Sequence, residues 1–89
     1  MRLRHEVWRD PEGDSFEFCI AARGADELRV KIAPRSELVR VIYAETWEEA
    51  MAQYHAWQGW DAWRPLPGLT DRVYDEEWLR LQQMEISRT

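Results

Sequence analysis

The residues of this chain whose types could do chemistry are two histidines, one cysteine and a run of tryptophans. His5 and Cys19 both fall in "LRHEVWRDPEGDSFEFCIAA", a stretch that reads as a β-hairpin. If its two strands pair, His5 can face Cys19, which would set a base against a thiol. A reactive thiol also needs a setting that lowers its pKa and a third group that orients the base. Neither is evident, and Cys19 is opposite in parity to Phe16, Phe18 and Ile20. Ser15, Ser36 and Ser87 sit in turn-like or terminal contexts, without a nucleophile elbow.

Metal chemistry is ruled down on similar grounds. Zinc needs three or four converging N, S or O ligands, and His5, His55 and Cys19 are not at ligand spacing. Asp10, Glu12 and Asp14 resemble a calcium loop only loosely. Gly13 is the fourth residue of that stretch, not the sixth, and no bidentate Glu stands at the twelfth. The paired carboxylates, Glu48–Glu49 and Asp75 to Glu77, fall where first helical turns are expected, and the helix dipole explains them. The glycines, at 13, 24, 59 and 68, are too scattered for a phosphate loop. The reading is of a non-enzyme with no cofactor and no metal.

The aromatics remain. "HAWQGWDAWRPLPG", residues 55–68, places Trp57, Trp60 and Trp63 within seven positions. Tryptophan offers the best cation–π face and dominates interaction hot spots. With Tyr54, His55 and Arg64 nearby, these rings can line a groove for an apolar or cationic group. The candidate binding residues are therefore Tyr54, His55, Trp60, Trp63 and Arg64. A small domain also needs large side chains for its core, and Trp47, Trp57 and Trp78 are assigned there. Trp63 lies beyond Gly59, where helical periodicity no longer places it inward. Trp8 is opposite in parity to its strand's core face, so it covers the sheet's second face or a dimer contact.

The elements that must position these residues follow from periodicity. Leu3–Arg9 and Ser15–Ala22 alternate as strands around the turn Asp10-Pro11-Glu12-Gly13-Asp14, where glycine permits positive φ. "ADELRVKIAP" is ambiguous: Leu28, Val30 and Ile32 alternate, yet Asp26 can cap a short helix. The balance leans to a short helix or irregular connector. "ELVRVIYA", 37–44, is a strand rich in β-branched residues. Thr46-Trp47-Glu48-Glu49 is a capping box opening a helix over 46–58, with Gly59 as its left-handed ending and Trp60 folded back on its last turn. "RPLPG" is a stiff extended connector. A C-terminal helix over 75–86 begins at a capping Asp75, with Tyr74 and Leu79 as a staple and Ile86 on its apolar side.

These elements predict an α+β fold. A mostly antiparallel sheet of three to four strands packs against helix 46–58 and helix 75–86, in one domain over residues 1–89. Composition agrees, with 45% apolar and 33% charged residues. The net charge of −5 lies entirely in residues 41–89, where nine Asp/Glu face four Arg, while residues 1–40 balance eight against eight. Such a balance repels phosphate and argues against nucleic acid. No stretch reads as a signal peptide or transmembrane span. One cysteine forms no internal disulfide, so a cytoplasmic location without membrane association is expected.

The block "TWEEAMAQYHAWQGWDAWRP", with its preceding strand and the N-terminal hairpin, resembles a group of small uncharacterised bacterial proteins. In that group a strand leads into a W-x-E-A-M-x-x-Y-x-x-x-x-G-W helix. Trp47, Glu49, Ala50, Met51, Tyr54, Gly59 and Trp60 carry the match. The resemblance implies a bacterial, cytoplasmic protein and no catalytic residue. The expected function is an interaction module that meets an unknown protein partner, or a second copy, through a tryptophan-rich patch. The alternative is a small-molecule binder or enzyme with a tryptophan-lined pocket.

Overall fold

The computed structural model describes residues 2–64 and 73–85. Pro65 to Gly68 of the "RPLPG" connector, and Ile86, lie outside them. The element order is β1 (Leu3–Asp10), β2 (Ser15–Ile20), α1 (Arg23–Ile32), β3 (Glu37–Ala44), α2 (Trp47–Gln58) and α3 (Glu76–Glu85). The strands form one antiparallel sheet in the order β2-β1-β3, so the fold is the expected α+β with three strands.

The first strand is the centre of the sheet, and its side chains are accordingly the most buried. Leu3, His5 and Val7 face α2 together with Phe18 and Ile42, the residues directly opposite sharing a face. Val7, Ile42 and Tyr54 form the core, with Phe18, Met51 and Trp57 packed around it. On β3, Val39 has no partner, because Val7 pairs with Arg40 and Trp8 with Leu38. That bulge puts Leu38 opposite Trp8 on the second face, beside Val41 and Tyr43, which oppose Glu6 and Arg4.

The hairpin turn differs from expectation at one residue. Its left-handed position is Asp14, with φ 49, and not Gly13. Asp10 makes an Asx turn to the Glu12 amide at 3.0 Å, and Arg9 holds the Asp14 carboxylate at 2.6 Å. A short polar side chain tolerates this conformation when locally bonded.

Residues 23–32 are a helix, which begins at Arg23 rather than at a capping Asp26. Ala22 precedes it without a side-chain cap, and Asp26 bonds Arg29. Its anchor is Arg29, buried over the Trp8 ring at 3.9 Å and bonded to Glu17 at 2.8 Å and Asp26 at 2.9 Å. Leu28, Val30 and Ile32, whose alternation suggested a strand, are exposed. Trp8 thus covers the second sheet face.

The second helix is capped as its sequence requires, with one change. Thr46 Oγ1 accepts from the Glu49 amide at 3.0 Å, but the Glu49 carboxylate accepts from the Glu45 amide, not that of Thr46. Asp75 caps α3 by accepting from the Trp78 amide. The third helix reaches the sheet through Gln82. Its amide accepts from Arg4 N and donates to the carbonyls of Arg4 and Ala21, filling the gap where β1 and β2 diverge.

Candidate functional site

The second helix ends in a Schellman motif, and that ending builds the candidate site. Gly59 takes φ 76, its amide bonds the Ala56 carbonyl, and the Trp60 amide bonds the His55 carbonyl at 3.0 Å. Trp60 is thereby turned back onto α2. Its ring meets Tyr54 edge-on at 5.5 Å and His55 at 5.1 Å. The chain then doubles back along the helix. Trp63 reaches His55, with centroids 5.1 Å apart, and its indole N–H donates to the Glu48 carboxylate.

His55 therefore sits between two indoles. Its Nδ1–H donates to the Asp61 carbonyl at 3.1 Å, since a carbonyl can only accept. That bond pins the 59–64 turn to the helix. His55, Trp60, Asp61, Ala62, Trp63 and Arg64 line an open hollow of about 660 Å³. Trp60 remains 53% exposed at its rim, whereas Trp63 is half-buried.

Four of the five expected residues, His55, Trp60, Trp63 and Arg64, line this hollow. Tyr54 is instead part of the core. Its ring stacks flat on Phe18 at 4.5 Å, and it touches the site only as the support beneath Trp60. Glu48 and Asp61 belong to the site as well. Glu48 lies seven residues, or two helical turns, before His55, so both fall on one stripe of α2. That spacing was the available signal, but the dipole already accounted for Glu48.

The chemistry considered at the hairpin is not assembled. His5 pairs with Ile20 and Cys19 with Glu6, so His5 and Cys19 lie on opposite sheet faces. Burial, then the Glu17 charge, pushes the Cys19 thiol up to about 11. That direction favours the protonated thiol, whose sulfur accepts from Arg29 Nη2 at 3.7 Å. His5 is fully buried, and desolvation holds its pKa below the ordinary histidine value. Among the described residues, no three His, Cys, Asp or Glu side chains converge as metal ligands would. No helix among them is long and apolar enough to cross a membrane.

The class defined so far is a small α+β domain with an aromatic turn packed on its central helix. No protein-family model matches the chain, and searches of curated proteins and of solved structures found no match either.

Proposed function

We propose that the chain is a non-catalytic interaction module that engages a protein partner, or a second copy of itself, through the turn carrying Trp60 and Trp63. The observation that carries this reading is the state of Trp60. Its backbone is fixed by the Schellman ending, yet about half of the residue is open to solvent. Large aromatic side chains on a rigid base bind at low entropic cost, because little freedom is left to lose. Arg64, His55 and Trp63 surround the ring with polar and apolar groups in the mixture usual for such surfaces.

The hollow's volume also lies within the range of small-molecule sites, and it supports the second reading. Its openness favours the first, since a ligand pocket buries most of its occupant.

The test compares the parent with Trp60→Ala and Trp63→Ala. Association is followed by light scattering across a concentration series and by affinity capture of partners. Nitrogen–proton spectra verify that each variant is folded. Association or capture should fall in both variants while the spectra stay dispersed. Folded variants that keep every partner would sink the proposal.

A further inference from the structure

Resting on that reading of the turn, we infer that the partner chemistry the Trp60–Trp63 hollow accepts is cationic: an arginine or lysine side chain of a partner protein. The sheet's second face shows the pattern within this same molecule. There Arg29 lies 3.9 Å from the Trp8 ring centroid, with the carboxylates of Glu17 and Asp26 bonded to its guanidinium. An indole face and adjacent carboxylates together hold a cation.

The hollow's lining brings together the same residue types, an indole and a carboxylate. Trp60 stands beside Asp61, whose carboxylate makes no ion pair among the described residues. No cation lies over Trp60 or Trp63 among those residues. The Trp60 ring stands near-perpendicular to both its aromatic neighbours, at 77° to Tyr54 and 86° to His55. It stacks flat on neither, and half of its surface is open. At the turn the carboxylates shown are Glu48, bonded to the Trp63 indole, and Asp61, against the single cation Arg64 of the lining. An acidic surface attracts cationic partners and raises their rate of encounter. Arg64 is the one group of the lining that opposes such an occupant, and it gives the test its sign.

The probe is a short blocked peptide carrying two arginines. Its controls are the same peptide with citrulline, a neutral isostere, and with glutamate. The readout is the shift of the Trp60 and Trp63 indole N–H signals during titration. The arginine peptide should move both signals, and citrulline should weaken binding about two- to fivefold per site. Asp61→Asn should weaken it by up to about fivefold, Trp60→Ala should abolish it, and Arg64→Gln should strengthen it. Asp61 and Arg64 are exposed, so those two variants leave the fold intact. Equal binding of arginine and citrulline peptides would overturn the cationic assignment while leaving the interaction reading standing. Glutamate-peptide binding lost in Arg64→Gln would reverse the sign and overturn it too. No indole shift with any peptide overturns it as well. The interaction reading fails separately, if folded Trp60→Ala and Trp63→Ala keep every partner.

Discussion

Gln82 is a polar side chain used as a piece of backbone. Its amide stands where β1 and β2 part and makes three hydrogen bonds to main-chain groups, at 2.8 to 3.0 Å. The Arg4 carbonyl keeps a second donor, the Ala21 amide, so losing Gln82 leaves it satisfied. The Arg4 amide has no such reserve in the pairs described. A Gln82→Leu change keeps much of the side-chain volume but removes the acceptor of that part-buried amide and the donor to the buried Ala21 carbonyl. The expected cost is about 2–3 kcal/mol in denaturant unfolding, from the desolvated amide and the lost bonds. A loss below about 0.5 kcal/mol would mean water replaces the amide. Periodicity gave no hint of this role, because a glutamine on a helix is ordinarily a solvated residue.

At the scale of elements, α2 was legible at both ends, whereas α1 was legible only as a short helix or irregular connector, for a physical reason. The second helix announces both ends with local chemistry: a Thr hydroxyl that caps, and a glycine that turns left-handed. Such signals need no tertiary partner, so they survive in the sequence. The first helix is held by Arg29, a residue whose burial depends on Trp8, Glu17 and Asp26 arriving together. Its apolar residues point to solvent, so the pattern in the sequence is that of the wrong element. The candidate site divides the same way. The tryptophans and His55 were visible by type, while the bond from Trp63 to Glu48 depends on the chain doubling back. Gly59 controls that reversal. An added Cβ there meets no atom within 4 Å, so Gly59→Ala carries backbone strain alone at φ 76. It should cost about 1–2 kcal/mol, and Gly59→Asn should cost less. The Trp60 and Trp63 indole signals should broaden in Gly59→Ala as the turn loses its fixed geometry. Unchanged stability in Gly59→Ala would show that the helix can end another way.

The whole molecule is joined through His5. It lies in the central strand, and its Nδ1–H donates to the carbonyls of Leu3 and Ile42 at 3.1 and 3.3 Å. Nε2 accepts from the Tyr74 hydroxyl at 3.0 Å, which ties the sheet to the chain entering α3. Phe18, Trp47 and Tyr74 wall the ring, and Glu49 is the charged group that acts on it. Burial outweighs the bonds and that charge, so the folded protein favours neutral His5. The unfolded chain takes up the proton near pH 6.5. Between there and the lower folded pKa, the unfolded state binds more protons, and stability falls as pH falls. The contribution is fully present above pH 6.5 and is lost below it. The net charge of −5 works in the opposite direction, since acid relieves self-repulsion as the pH approaches the pI of 5.0. The two are separated by comparing the parent with His5→Gln, with denaturant midpoints measured at half-unit steps from pH 7.5 to 5.5. The variant is less stable throughout, but its midpoint should hold level or rise toward acid, while the parent's falls relative to it. Parallel curves would place the titrating group elsewhere and leave His5 as a purely structural bond between the sheet and Tyr74.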